Sequence, residues 1–203
     1  GVFSGYTLLD SGEEVPAPGP TVLFFGRMEP YKGVGVLADA IPLVRARIPE
    51  VRFLLAGRGE ALDKLRPRIE AEAGVEIQDH YIEAEDVGPL FRQATVLAAP
   101  YLEASQSGVI AIAFAFGVPV VATDVGALSE MVEDGNNGLL VGPDQPSVFA
   151  EALCRVLEDP ELASLLSSGA RERAAGPFSW ETAARMTLDW YRGEAGSGPQ
   201  GRS

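Results

Sequence analysis

Two cations follow a short β-rich run near the start of the regular part of the sequence. The run TVLFF ends at Phe25, and the segment GRMEPYKG places Arg27 and Lys32 just before a helical pattern that begins at Val34. Free amides at a helix N-terminus and the helix dipole already favour negative charge there. A guanidinium and an ammonium beside them therefore predict an anion site, the alternative being two solvated surface cations.

A second polar segment, PYLEASQSG, precedes an alanine-rich apolar helix predicted over Val109–Phe116. Its serines and glycine expose amides and hydroxyls to one point, which suits a diphosphate, and Glu103 can accept hydrogen bonds from sugar hydroxyls. The alternative is an ordinary helix start capped by serine. Besides Glu103, the candidate ligand-binding residues of this segment are Ser105, Gln106, Ser107 and Gly108.

Other strand ends carry weaker signals. Gly57 lies in the turn GRGE, where glycine is already needed for a tight passage from strand to helix. Thr123 lies at a strand end where a ligand can approach the backbone. His80 is the only histidine in the chain, and we predict a packed or surface role for it rather than a catalytic one.

The elements that must position these residues alternate regularly from Thr21 onward. Helical patterns separate the apolar strand-like runs, which are Thr21–Phe25, Val51–Ala56, Val75–Ile77, Thr95–Ala99, Val118–Ala122 and Gly138–Val141. This alternation predicts a Rossmann-like, three-layer α/β/α domain with a parallel sheet of about six strands covered on both faces. In such sheets ligands bind at the carboxyl ends of the strands, near the switch in strand order.

The helical patterns are the other half of this prediction. Between the strands they cover Val34–Ile48, Glu60–Glu72, Asp86–Gln93 and Val109–Phe116, and after the last strand they cover Ser147–Leu157, Pro160–Ala175 and Ser179–Tyr191. Asp144, Asp159 and Ser179 are the predicted N-caps of the last three helices. Residues 1–20 are predicted to be a linker or the stub of another domain, residues 21–192 the folded domain, and residues 193–203 a disordered tail.

Composition narrows the function classes. The formal net charge of −13 argues against a nucleic-acid partner, because binding to a phosphate backbone needs clustered cations. The single cysteine, Cys154, cannot form a disulfide framework, so we expect a buried thiol in a reduced, cytoplasmic protein. No apolar run reaches the length that spans a bilayer.

Three blocks of the sequence, in their order and spacing, resemble the C-terminal domain of the retaining, family 4 (group 1) glycosyltransferases of GT-B fold. The blocks are FFGRMEPYKG, PYLEASQSGVIAIAFAFGVPVVATDVGALSEMV and EDGNNGLLV, and the resemblance covers nearly everything from Thr21 to Arg192. It implies a domain that binds a nucleotide-sugar donor, while an N-terminal domain of the same protein binds the acceptor. It also implies that this chain alone is inactive, and it leaves open a membrane contact through the other half.

The resemblance assigns roles to single residues. Arg27 and Lys32 would hold the donor diphosphate and stabilise the leaving nucleotide, a role that needs neither a metal nor another cofactor. Gly26 is a further donor-binding candidate in the same turn. The nucleobase would lie against the loop that contains Tyr81 and Ile82.

One position departs from the family pattern. The family usually has two glutamates spaced E-x7-E, the second of which binds the nucleotide ribose, and here the second position falls on Ala111 or Ile112 depending on the alignment. A degenerate, non-catalytic nucleotide-binding module is therefore one alternative. A sugar-nucleotide epimerase and a phosphorylase-like enzyme are further alternatives, because they share the architecture. A dinucleotide-dependent oxidoreductase is least favoured, because no G-x-G-x-x-G follows the first strand.

Overall fold

The strands alternate with helices as the apolar runs predict. A computed structural model describes residues 19–104 and 107–176. Within these ranges the strands are β1 (Thr21–Phe25), β2 (Arg52–Ala56), β3 (Val75–Gln78), β4 (Val96–Ala99), β5 (Val120–Thr123) and β6 (Gly138–Val141). Their bounds agree with the predicted runs to within two residues, because most of these runs are stretches of apolar and β-branched side chains that suit a buried strand, whereas the edge strand β3 is only partly buried.

These strands form one sheet in the order β3-β2-β1-β4-β5-β6, and every neighbouring pair is parallel. The register places Leu23 of β1 opposite Leu54 of β2 and Leu97 of β4. The prediction of a parallel, Rossmann-like sheet of about six strands is confirmed. The strand order reverses between β1 and β4, and a ligand site is therefore expected at the carboxyl ends of these two strands.

The connecting segments are helical. Their bounds are α1 (Val34–Arg47), α2 (Glu60–Ile69), α3 (Ala84–Gln93), α4 (Gly108–Ala115), α5 (Leu128–Met131), α6 (Pro146–Glu158) and α7 (Pro160–Ala175). A short 3₁₀ turn, Pro30–Lys32, precedes α1 and was not predicted. The helix predicted over Ser179–Tyr191 lies outside the described residues.

Two hydrophobic layers cover the sheet. Alternate strand residues such as Val22 and Phe24 pack with α1, α2 and α6 on one face, while Leu23 and Leu97 pack with α3, α4 and α5 on the other. Among the described helices, α1 and α6 pack against each other most extensively, on the first face of the sheet. Cys154 of α6 is buried, as predicted.

The predicted helix caps gave mixed results. Asp159 caps α7, and its carboxylate accepts hydrogen bonds from the amides of Glu161 and Leu162, both at 3.0 Å. The prediction for Asp144 is wrong, because Gln145 occupies the N-cap position of α6 and makes no side-chain cap. Asp144 instead turns the chain with a φ of 55°. Ser179 lies outside the described residues.

No helix among residues 19–104 and 107–176 combines the length and the apolar character needed to cross a bilayer.

Candidate functional site

The loops that follow β1 and β4 lie side by side at the switch in strand order. The amide of Leu102, in the loop after β4, donates a hydrogen bond of 2.8 Å to the carbonyl of Tyr31, in the loop after β1. A Cβ added at Gly26 would lie 3.4 Å from the Val109 side chain in the first turn of α4. The anion-binding loop predicted after β1 therefore faces the helix start predicted to hold a diphosphate.

Backbone hydrogen bonds fix which side chains of the first loop face outward. The Met28 amide donates to the Arg58 carbonyl at 2.9 Å, and the Met28 carbonyl accepts from the Ala61 amide at 3.1 Å, so the first loop is tied to the loop after β2. The Met28 side chain is fully buried, whereas Arg27 beside it is exposed. This alternation directs the guanidinium of Arg27 away from the core and toward the open edge of the sheet.

The ammonium of Lys32 is held over an aromatic ring. Its Nζ lies 3.8 Å from the centre of the Tyr101 ring and 5.4 Å from the centre of the Tyr31 ring. Burial lowers the pKa of the Lys32 ammonium, and the neighbouring Arg27 lowers it further against an opposing effect of Tyr31. Because burial disfavours the charged form, an anionic ligand close to the ammonium would stabilise that form.

Three cations near the carboxyl ends of the strands form no salt bridge with the described residues. Elsewhere in the described residues, salt bridges are formed by Arg47, Arg52, Lys64, Arg66 and Arg68, whereas Arg45, Arg155 and Arg171 form none. Within the described part of the chain, Arg27, Lys32 and Arg58 take part in none of the ion pairs, although the whole chain carries 29 acidic residues. Positive charge left uncompensated in an acidic protein is typical of a site for an anion.

The loop after β4 is built around Tyr101. Its ring is buried, and its hydroxyl lies 3.2 Å from the Ser107 hydroxyl, which in turn accepts a hydrogen bond of 3.4 Å from the Ile110 amide. Ser107 is thus the N-cap of α4, and Gly108 begins the helix. The predicted Glu103 lies in this loop with an exposed side chain. Ser105 and Gln106 lie outside the described residues.

The loop after β5 packs directly against the same segment. The Thr123 hydroxyl donates a hydrogen bond to the Tyr101 carbonyl, and the Thr123 side chain is fully buried. A Cβ added at Gly126 would lie 1.6 Å from the Ala104 carbonyl oxygen, so the two loops touch through their backbones. Thr123 therefore supports the loop that contains Glu103, and a direct contact between Thr123 and a ligand stays a prediction.

A cavity of about 380 Å³ opens on the other side of Arg27. Most of the lining residues belong to the loops after the first three strands. Tyr81 is one of them, and its side chain is 67% exposed. The residues that line the cavity are Phe25, Gly26, Arg27, Gly57, Arg58, His80, Tyr81, Ile82 and Val87. The structure thus brings together Gly26, Arg27, Gly57, Tyr81 and Ile82, all of which were predicted from the sequence as site residues.

Arg58 is the cavity residue that the sequence reasoning missed. The segment GRGE was interpreted through its glycines, and Arg58 itself received no role. In the structure Arg58 is exposed, lines the cavity beside Arg27 and forms no ion pair within the described residues. Its position directly after a strand was the available signal, because Arg27 was identified by the same criterion.

The two candidate positions for the second family glutamate differ in burial. Ile112 is 5% exposed and belongs to the hydrophobic layer between α4 and the sheet, whereas Ala111 is partly exposed. Neither side chain can accept a hydrogen bond. Within residues 19–104 and 107–176, three or more His, Cys, Asp or Glu side chains nowhere converge as they would around a metal ion.

Comparisons with known proteins agree on one family. A family model described as glycosyl transferases group 1 matches residues 19–159. The phosphatidyl-myo-inositol mannosyltransferase of Mycolicibacterium smegmatis is 34% identical over 198 residues, which cover 97% of this chain and 50% of that protein. The D-inositol 3-phosphate glycosyltransferase of a Nocardioides species is 35% identical over 201 residues, which cover 88% of this chain and 42% of that protein. The chain thus spans about half the length of these relatives.

Solved structures share the fold. Sucrose-phosphate synthase from Thermosynechococcus elongatus superposes with a TM-score of 0.76 at 29% identity, over 89% of this chain and 46% of that one. HepE from Anabaena, in complex with UDP and glucose, superposes with a TM-score of 0.78 at 23% identity, over 93% of this chain and 55% of that one. At this level of identity the second likeness concerns the fold alone.

Proposed function

The chain belongs to the group 1 glycosyltransferase family, and from that premise we propose that it is the donor-binding half of a retaining glycosyltransferase. In this proposal the chain binds a nucleotide-diphosphate sugar, and another domain of the same protein binds the acceptor. The sugar, the base and the acceptor are not part of the proposal.

One observation carries the proposal. At the switch in strand order, Arg27 and Lys32 lie beside the N-terminus of α4 and pair with no carboxylate within the described residues. A diphosphate supplies the negative charge that these groups lack, and free helix amides bind phosphate oxygens readily. A simple surface role for both cations does not account for the partial burial of Lys32.

The same groups suit the chemical step. In glycosyl transfer the acceptor oxygen bonds to the anomeric carbon while the bond from that carbon to the diphosphate oxygen breaks. The bonding electron pair stays on the diphosphate, which accepts the proton of the acceptor hydroxyl. Arg27 and Lys32, held in place before the reaction, would stabilise the charge that develops on the departing oxygen.

The cavity beside Arg27 supports a nucleotide rather than inorganic phosphate as the ligand. It is continuous with the cation-bearing loop and offers the exposed ring of Tyr81 and the backbone next to Ile82 for a base. HepE, which has the same fold, was solved with UDP bound. In this proposal the diphosphate lies between the cavity and Glu103, and the donor sugar lies next to Glu103.

The lengths of the relatives support the proposal that donor and acceptor are bound by two different domains. Curated relatives are about twice as long as the matched part, since this chain covers 50% of the M. smegmatis mannosyltransferase. In a two-domain architecture the second domain would face the carboxyl edge of this sheet and close over the donor. We therefore expect no transfer by this chain alone.

A second reading, a nucleotide-binding module without turnover, is favoured by one observation. Neither Ala111 nor the buried Ile112 supplies the carboxylate that the family usually directs at the ribose. Nucleotide binding by the full-length protein without glycosyl transfer would select this reading, and transfer would exclude it.

Calorimetric titration of the 203-residue chain with UDP, GDP and ADP in the presence of EDTA tests the proposal. We expect one nucleotide to bind without metal, and Arg27→Ala or Lys32→Ala to weaken binding by at least about 1 kcal/mol, the size of a charge-assisted hydrogen bond. Lys64→Ala is the matched control, because Lys64 is an exposed lysine paired with Glu60 and should leave affinity unchanged. Equal affinities in all three variants would contradict the site assignment, and a requirement for metal would contradict the predicted metal independence.

A further inference from the structure

Tyr101 is a buried residue whose ring face is directed at the proposed ligand site. Its side chain is only 2% exposed, and yet the Lys32 ammonium lies 3.8 Å from the ring centre. This distance is well inside the range of about 6 Å at which a cation is attracted by the negative face of an aromatic ring. The second ring near the ammonium, Tyr31, is farther away at 5.4 Å and partly exposed.

The chain around both residues holds them in this arrangement. A Cβ added at Gly33, next to Lys32, would lie 1.7 Å from the carbonyl oxygen of Pro100, next to Tyr101. On the other side, Leu102 donates a hydrogen bond to the Tyr31 carbonyl at 2.8 Å. The backbones on both sides of Lys32 are therefore fixed against the backbones on both sides of Tyr101.

The ring serves as the electrostatic partner of the ammonium. Within the described residues Lys32 takes part in no salt bridge. A carboxylate in the same place would neutralise the ammonium and compete with an anionic ligand, because the carboxylate and the ligand would accept hydrogen bonds from the same N–H groups. An aromatic face attracts the ammonium without accepting strong hydrogen bonds from it, so the donors stay available.

We propose that Tyr101 is a positioning residue that holds the Lys32 ammonium, through its ring face, in the orientation that binds the donor diphosphate. The ligand in this inference rests on the proposed function, whereas the ring-ammonium contact stands on geometry alone. The Tyr101 hydroxyl has a separate task, because it contacts Ser107 at the start of α4. Removing the hydroxyl and removing the ring should therefore have different effects.

An NMR measurement tests the contact without any ligand. The chain contains two lysines, Lys32 and Lys64, so selective lysine labelling gives two sets of side-chain resonances. The ring current of Tyr101 should shift the Hε resonances of Lys32 upfield of those of the exposed Lys64. The shift should persist in Tyr101→Phe and disappear in Tyr101→Leu, and equal resonances for both lysines in the unchanged chain would overturn the proposal.

A double-mutant cycle with UDP, or with whichever of the three nucleotides binds, tests the consequence. We expect Tyr101→Leu to raise the Kd about tenfold and Tyr101→Phe to change it less than twofold. In the Lys32→Met background, Tyr101→Leu should add less than a twofold loss, because no ammonium is left to position. A tenfold loss that persists in that background would overturn the positioning role and indicate a general structural effect.

The two possible failures can be told apart. If the unchanged chain binds none of UDP, GDP and ADP, the proposed function fails, and the ligand role of Tyr101 fails with it. If a nucleotide binds but the upfield shift is absent, only the positioning inference fails. Should Tyr101→Leu not fold, the comparison of Lys32 with Lys64 and the retained shift in Tyr101→Phe still decide the contact.

Discussion

A methyl group added at Gly33 should disrupt the contact between the loops after β1 and β4. The φ of Gly33 is 70°, a left-handed conformation that alanine adopts only at a cost of about 1 kcal/mol. In addition, the Cβ of an alanine would lie 1.7 Å from the Pro100 carbonyl oxygen. Gly33→Ala therefore combines backbone strain with a clash between the loops after β1 and β4.

The geometry sets the size of the effect. The carbonyl would have to withdraw by about 1.7 Å to reach an ordinary Cβ···O contact of 3.4 Å, and both groups belong to backbone that cannot rotate away. Such a movement breaks the 2.8 Å hydrogen bond from Leu102 to Tyr31, which contributes about 1 kcal/mol. Strain, the lost hydrogen bond and overpacking together should lower the free energy of unfolding by about 3 kcal/mol.

Two other glycines separate these contributions. Gly135 has a φ of 76° and nothing within 4 Å of an added Cβ, so Gly135→Ala should cost only the strain of about 1 kcal/mol. Gly35 lies in α1 with open space around it, so Gly35→Ala should be neutral or stabilising by up to about 1 kcal/mol. Urea unfolding of the three variants, followed by circular dichroism, gives the values. A loss for Gly33→Ala no larger than that for Gly135→Ala would refute the reasoning that the loops are in tight contact.

Three further predictions concern the charge of Lys32, the recognition of the nucleotide ribose and the residues at the starts of the last two described helices. Because burial lowers the pKa of the Lys32 ammonium, the unchanged chain should gain stability relative to Lys32→Met as the pH rises from the folded pKa toward 10.5, where the unfolded chain also loses its proton, and urea unfolding at a series of pH values measures this gain. Because the side chains of Ala111 and Ile112 offer no acceptor, the 2′-deoxy form of whichever nucleotide binds should bind within about threefold of the ribonucleotide by calorimetry, and a loss beyond tenfold would indicate another ribose-binding group. In thermal unfolding, Asp159→Ala should cost about 1 kcal/mol as a lost N-cap, whereas Asp144→Gly should stabilise by up to about 1 kcal/mol by relieving a φ of 55°.

The sheet was predictable because its signals are local. Runs such as TVLFF and VLAA are apolar or β-branched throughout, and a parallel strand buried on both faces needs nothing else. Asp159 was recognisable for the same reason, since a cap bonds to amides two and three residues away. The prediction for Asp144 was wrong because a carboxylate is chemically suited to cap a helix, but the backbone conformation of Asp144 is not that of an N-cap. That conformation depends on how the chain leaves β6, which the local sequence does not show.

The site was predictable only as a set of loops. Position after a strand identified Arg27, Lys32 and Gly57, and the sheet order brought Arg27 and Gly57 into one cavity. The partner of Lys32 could not be found in this way, because Tyr101 is 69 residues away in sequence and a ring under an ammonium leaves no spacing pattern. Arg58 was missed because glycines on both sides explained the turn without it.

The unpaired cations have a consequence for the encounter with an anionic ligand. At a distance such a ligand experiences the whole chain, whose net charge of −13 repels it. At physiological ionic strength the repulsion is screened beyond about 8 Å, whereas a ligand at the loop edge is within reach of Arg27, Lys32 and Arg58. Added salt should therefore accelerate association up to the point where it also screens these three charges, so that the on-rate passes through a maximum. A protein that attracted its ligand globally would show only the falling part of that curve.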